Sequence, residues 1–336
     1  MTAVSIISVF FLASAMAQAP APSGKRTEAL RNAKTWMYLI DDVSREGALE
    51  ELDATGYDLL VIEPTNTLKG EEDWDSKAAV QRLKANRPGR IVLAYLDIAE
   101  AESYRTYWKE EWRPPTKEQR GQPDFILIPD PDGWGDSYPV AYWDERWGEV
   151  VIDGKDSLLR KALADGYDGV YLDWILAYEE EKIQAAAQAA GVDPVRAMVD
   201  FLLRLRETAR REDPEFLVVG QNIPYLIDLD PRCAKAVDAV AAEDIFFRGR
   251  ANAKWDSPKG GDVANRYKDE SSTAGLIKQY HKLLSMGFPV FTVDYCLQEE
   301  NAKMVYEALS KEGFVPLVTR VSLSRLTTTP PPALEK

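Results

Sequence analysis

Eight short apolar, β-rich runs recur along the chain, and the stretches between most of them carry helical patterns. This alternation limits the possible folds more than any other feature of the sequence. The runs are Trp36–Ile40, Leu59–Glu63, Ile91–Asp97, Gly169–Asp173, Phe216–Gly220, Ala239–Glu243, Pro289–Asp294 and Phe314–Thr319. Helical patterns cover Arg45–Ala54, Lys77–Ala85, Lys155–Ala164, Pro194–Arg211, Thr273–Met286 and Ala302–Lys311. Strands alternating with helices in this way read as βαβ units around a parallel sheet. Gly56-Tyr57-Asp58 and Gly166-Tyr167-Asp168 punctuate two strand entries, where a left-handed glycine closes a helix. Eight such units close most simply into a single α/β domain, a (β/α)8 TIM barrel. An open doubly wound sheet is the alternative, but no glycine-rich phosphate loop follows the first run.

Residues 34–322 are assigned to the barrel, interrupted by an insertion of about 70 residues between the third and fourth strands. A loop of that length is usually functional. It concentrates aromatic residues: Trp108, Trp112, Trp134, Tyr138, Tyr142, Trp143 and Trp147. Residues 1–17 read as an export signal, with an apolar run at Ile6–Leu12 and a cleavage site at Ala15-Met16-Ala17. The expected location is therefore secreted or periplasmic. The apolar run is too short for a permanent membrane anchor. Residues 18–33, with Pro20, Pro22 and Gly24, are expected to be a flexible lead-in, and 323–336 a disordered tail ending in three threonines and three prolines.

A formal charge of −14 argues against a nucleic-acid partner, which needs a basic face to displace counterions. It suits a cationic ligand, and it also keeps an exported protein soluble. Five of the eight runs end in an acid: Glu63, Asp97, Asp173, Glu243 and Asp294. In barrels of this kind the reacting groups sit at the C-terminal ends of the strands. Asp173 and Glu243 follow apolar triplets directly and are the primary candidates, whereas Asp58, Asp165 and Asp168 read as structural turn residues. Clustered acids raise one another's pKa, as a general acid near neutral pH requires.

Absences narrow the chemistry further. His281, inside a helical run, is the single histidine, which disfavours serine–histidine catalysis at a strand end and histidine-rich zinc sites. Cys233 and Cys296 have no histidine partner in the pattern and are too few for a disulfide framework. Two carboxylates with no metal or cofactor meet the requirement for glycoside hydrolysis. Trp174, Tyr178, Tyr225, Phe246 and Phe247 follow strand ends, where flat rings can stack on a pyranose. Two alternatives stand beside this reading. One is a carbohydrate-binding barrel that has lost catalysis, and the other is a metal-dependent hydrolase using the same acids as oxygen ligands.

Several motifs carry a resemblance: Tyr95-Leu96-Asp97-Ile98-Ala99-Glu100-Ala101-Glu102, Tyr142-Trp143-Asp144, Gly166-Tyr167-Asp168-Gly169-Val170-Tyr171-Leu172-Asp173, Gly220-Gln221-Asn222, Glu243-Asp244-Ile245-Phe246-Phe247 and Val293-Asp294-Tyr295. In this order they resemble the glycoside hydrolase 114 family, named for endo-α-1,4-polygalactosaminidase. The resemblance implies a TIM barrel that cleaves an α-linked amino-sugar polysaccharide. Asp173 is implied as nucleophile and Glu243 as acid/base. Tyr95, Asp97, Glu102, Tyr142, Trp143, Trp174, Asn222, Asp294 and Tyr295 are expected to bind substrate.

Overall fold

The computed structural model describes residues 24–334; the expected export signal lies outside them. All eight predicted strands form: β1 (Trp36–Leu39), β2 (Leu59–Ile62), β3 (Ile91–Asp97), β4 (Gly169–Asp173), β5 (Leu217–Gln221), β6 (Ala239–Glu243), β7 (Val290–Tyr295) and β8 (Val315–Thr319). They make one parallel sheet in sequence order, the arrangement of a (β/α)8 barrel. Among the described residues β1 and β8 share no backbone ladder. Instead the Trp36 indole N–H donates to the Val315 carbonyl at 2.9 Å, and the Ile40 and Asp41 amides donate to the Leu323 carbonyl beyond β8.

Inside the barrel a column of aromatic rings forms the floor beneath the strand ends. Tyr38 stacks obliquely on Tyr171 at 5.0 Å and on Tyr95 at 6.1 Å, and Trp36 lies 5.9 Å from Tyr38 and 5.8 Å from Phe291. Buried ring pairs of this kind add about 0.5–1.5 kcal/mol each beyond the area they remove from water.

The helices begin where polar caps allow. Asp75 accepts the Ala78 N–H ahead of Ser76–Asn86, Ser157 accepts the Arg160 N–H ahead of Leu158–Asp165, and Asp193 accepts the Arg196 N–H ahead of Pro194–Glu212. Leu158–Asp165 ends on Gly166 at φ 82°, as the Gly-Tyr-Asp punctuation predicts.

The acids that open even-numbered strands form a second pattern. Asp58, Asp168 and Asp238 each sit one residue before a strand and accept backbone N–H groups from the base of the strand before it. Asp58 takes the Lys34 and Thr35 amides and Arg87; Asp168 takes the Val92 amide, Lys84 and Arg26; Asp238 takes the Val218 amide, Arg206 and Arg210. The closed end of the barrel is therefore pinned by paired acids, which explains why these aspartates are structural.

The insertion between β3 and β4 holds its own small core. Trp108, Trp112, Phe125, Tyr107 and Trp147 pack in edge-to-face and tilted pairs at 5.5–6.2 Å. The Trp147 indole N–H donates to the Ile98 carbonyl at 2.8 Å, which ties this core to the end of β3. A two-stranded antiparallel hairpin, Glu100–Glu102 with Ser137–Pro139, carries the chain outward. Arg105, with 0% of its side chain exposed, bridges Glu102 of the hairpin and Glu63 at the end of β2, and also donates to Thr67. Most of the aromatic residues in the insertion thus serve packing.

Two boundary expectations are corrected. Part of the lead-in is ordered: Lys25–Asn32 is a helix whose Leu30 is fully buried, because this apolar side chain has a site against the barrel. The expected tail also packs on the barrel. Leu323 and Ser324 are buried, and the Tyr306 hydroxyl donates to the Thr329 carbonyl at 2.7 Å. Among the described residues no helix is long and apolar enough to cross a membrane.

The Arg105 bridge gives a first prediction. Arg105→Met leaves two buried carboxylates without their cation and should destabilise the fold by about 3–5 kcal/mol, read as a lowered midpoint in urea. A midpoint equal to wild type would show that the bridge contributes nothing.

Candidate active site

Parallel pairing in register brings the last residues of the strands to one level. Asp97 is the Cα partner of Asp173 across β3 and β4, Leu172 that of Gly220 across β4 and β5, Gln221 that of Ala241 across β5 and β6, and Glu243 that of Val293 across β6 and β7. Side chains alternate along a strand, so Asp173, Gln221, Glu243 and Tyr295 converge above the aromatic floor.

Gln221 lies at the centre. Its amide Nε2 donates to Asp173 Oδ1 at 2.9 Å and to Glu243 Oε2 at 2.6 Å. Asp173 also accepts the Trp174 N–H on Oδ1 at 2.7 Å and the Tyr95 hydroxyl on Oδ2 at 2.9 Å. Glu243 accepts the Tyr295 hydroxyl on Oε1 and the Asn222 amide on Oε2 at 3.3 Å, while its own N–H donates to Asn222 Oδ1 at 3.0 Å. No cation pairs directly with either acid among the described residues.

Burial is the main cause of the electrostatics. It raises the Asp173 carboxyl to about 6, against the pull of the Trp174 and Tyr95 donors. It raises Glu243 to about 8, with the Asp173 charge adding to the effect and Tyr295 and Asn222 opposing it. Near neutral pH the pair therefore holds one ionised and one protonated acid, which is the division general acid catalysis requires.

Three successive strands leave the barrel through a residue with left-handed backbone: Trp174 at φ 57°, Asn222 at φ 53° and Asp244 at φ 58°. Asn and Asp tolerate this region, but a tryptophan there costs about 1–2 kcal/mol. The turn at Trp174 aims its amide at Asp173, so local strain accompanies a hydrogen bond to this carboxyl.

A loop from the insertion overhangs the pair. Asp130 Oδ2 accepts the Gly133 and Trp134 amides at 2.5 and 2.6 Å, and the Gly133 carbonyl accepts from Asn252 in the loop after β6. Asp132 at the tip contributes to the field that raises both Asp173 and Glu243, after burial in each case. Beside the pair, Asp97 Oδ1 accepts the Ala99 and Glu100 amides, and its side chain shares a hydrogen bond with the Glu100 carboxyl. Burial first, and neighbouring acids second, hold both well above the usual carboxylate range.

Of the residues expected from sequence, Asp173, Glu243, Tyr95, Asn222 and Tyr295 meet in one hydrogen-bonded group. Trp174 joins through its backbone, and Asp97 stands beside Asp173. Four others are placed elsewhere. Tyr142 is 1% exposed and donates to the Pro194 carbonyl at 2.8 Å, so it is a packing residue, and Trp143 stacks edge-on against it. Glu102 is buried in the ion pair with Arg105. Asp294 is fully buried, and its Oδ1 accepts the Phe246 and Phe247 amides at 2.6 and 2.7 Å; it fixes the loop after β6, while its neighbour Tyr295 reaches Glu243.

The sequence expectations missed Gln221 as a site residue, together with Tyr38, whose hydroxyl donates to Gln221 Oε1 at 3.4 Å. The available signal was position. Gln221 is the last residue of β5, just as Asp173 and Glu243 end β4 and β6. Cys233 and Cys296 are both buried and unbridged. No group of three or more His, Cys, Asp or Glu among the described residues is arranged to hold a metal ion.

Comparison with known proteins agrees with this fold. The chain is similar to an uncharacterized protein of Deinococcus radiodurans, with 30% identity over 278 residues covering 83% of this chain and 78% of the relative. It is also similar to one of Thermotoga maritima, with 26% identity covering 86% and 81%. Among solved structures, its fold is similar to the glycoside hydrolase domain of PelA from Pseudomonas aeruginosa, with a TM-score of 0.58, 19% identity and coverage of 89% of this chain and 99% of that one. It is likewise similar to Aspergillus fumigatus Ega3 in complex with galactosamine, with a TM-score of 0.56, 15% identity and coverage of 88% and 96%. The model of glycoside hydrolase family GH114 matches residues 14–333, and with the two carboxylates at the barrel mouth this places the chain in that family, as a glycoside hydrolase.

Proposed function

We propose that this protein is an exported, retaining glycoside hydrolase that cuts an α-linked amino-sugar polysaccharide of the polygalactosamine type. Asp173 is its nucleophile and Glu243 its acid and base. The observation that carries the reading is the pair held on one amide nitrogen. With Nε2 at 2.9 Å from one oxygen and 2.6 Å from the other, the two oxygens lie no more than about 5.5 Å apart. Retaining enzymes hold their carboxyl groups about 5–5.5 Å apart, whereas inverting enzymes leave about 6.5–9.5 Å for a water.

In the first step Asp173 attacks the anomeric carbon while Glu243 gives its proton to the departing glycosidic oxygen. In the second, Glu243 as carboxylate takes a proton from water, which releases the sugar from Asp173. The substrate class is supported by the galactosamine named with Ega3 and by the charge of the mouth, where Asp132 adds an acid near the pair. A protonated amino sugar would be attracted there. Export is supported by the apolar run and Ala-x-Ala motif in residues 1–17. The catalytically inactive alternative is disfavoured because both acids are present, hydrogen-bonded, and divided in protonation.

Asp173→Asn and Glu243→Gln should each lower reducing-end release from a galactosamine polymer by at least about 100-fold while polymer binding persists. Wild-type turnover by both variants would overturn the assignment. The rate should follow a bell between about pH 6, below which the nucleophile is protonated, and about pH 8, above which the acid has lost its proton. Proton NMR of the first product should show the anomeric configuration of the substrate, and the opposite anomer would establish inversion.

A further inference from the structure

We propose that Gln221 is a positioning residue that holds Asp173 in its ionised form and directs the proton of Glu243 to Oε1. The inference rests on the proposed roles of Asp173 and Glu243 and extends them to the group between them.

The orientation of the amide is fixed by its neighbours. Nε2 faces an oxygen of the ionised Asp173, which only accepts, and one of Glu243, and Oε1 faces the Tyr38 hydroxyl, which donates at 3.4 Å. A flipped amide would set a carbonyl against two acids. Gln221 is 1% exposed, so water does not compete for these bonds. Each amide hydrogen goes to a different acid, and an amide nitrogen accepts no proton in return.

The consequences differ for the two acids. Oδ1 of Asp173 receives two N–H donors, from Trp174 and Gln221, and has no room for a proton on that side. Oε2 of Glu243 likewise receives Gln221 and Asn222. Oε1 of Glu243 meets only the Tyr295 hydroxyl, which can rotate and accept. The acid proton therefore belongs on Oε1, beside Tyr295.

The titratable groups around Gln221 and the two acids it holds are Tyr38 from β1, Tyr95 from β3, Tyr171 and Asp173 from β4, Glu243 from β6 with Asp244 next to it, and Tyr295 from β7. Burial holds the four tyrosines well above their usual range, so they stay neutral while the acids titrate. Glu102 and Asp132 act on Asp173 only through space.

The test is Gln221→Met, similar in shape and without donors. Loss of a donor to the ionised nucleophile should move the acid limb of the kcat/KM profile upward by about one pH unit or more. Carbon-13 NMR of the side-chain carboxyls, recorded without substrate, should show the same shift for Asp173. Tyr38→Phe frees the amide from its anchor and should move the limb in the same direction by less, which covers the case in which Gln221→Met does not fold. A profile that superimposes on wild type, with kcat lowered or unchanged, would overturn the proposal. The NMR titration separates the two claims. If no amino-sugar polymer is cut but Asp173 still shifts, the proposed function fails and the role of Gln221 stands. If wild type hydrolyses and neither readout moves, only the role of Gln221 fails.

Discussion

The parallel register of β3 to β7 is the constraint on which the site depends. Once Asp97 is aligned with Asp173 and Glu243 with Val293, the pleat leaves no freedom about which residues face one another at the open end. A one-residue slip in β6 would turn Glu243 away from the barrel axis and bring Asp244 in. The aromatic floor of Trp36, Tyr38, Tyr95 and Tyr171 supports this register from below and closes the inner side of the half-buried carboxyls, whose raised pKa follows mainly from desolvation.

The two ends of the barrel treat acids in opposite ways. At the closed end Asp58, Asp168 and Asp238 each have a cation and at least one backbone amide, so their charge is neutralised and serves to fix strand entry. At the open end Asp173 and Glu243 have only neutral donors: hydroxyls, amides and backbone N–H groups. Neutral donors orient a carboxylate without compensating its charge, and the remaining cost of burial appears as proton affinity. Arg105 stands between these regimes. It neutralises Glu63 and Glu102 at the base of the insertion, so two of the acids near the open end are removed from the chemistry.

Much of this was legible in the sequence because it follows from local rules. Eight apolar runs gave eight strands, and the Gly-Tyr-Asp turns marked two strand entries. The catalytic candidates followed from an acid directly after an apolar run. What sequence could not rank was which strand-end acids stay available. Asp294 ends an apolar run much as Asp173 does, yet two amides from the loop after β6 claim its Oδ1. Glu102 sits in a motif shared with the family, yet a cation three residues on in the chain takes it. Tyr142 sits in a motif shared with the family, which says nothing about which face of its ring is covered. Gln221 went unassigned because a neutral amide gives no sign in sequence that two acids will close on it. Each of these outcomes depends on a partner distant in the chain or on side-chain direction, neither of which periodicity encodes.

The aromatic core of the insertion separates two jobs that many loops combine. Trp108, Trp112, Phe125 and Trp147 hold the base of the insertion to the end of β3, while the stretch from 130 to 136 that reaches across to Asn252 contributes none of those rings. The roof over the carboxyl pair can therefore change in length, charge or shape while its foundations and the barrel keep their packing. Divergence in which polymers such a mouth admits can run through a handful of roof positions, leaving the reacting centre in place.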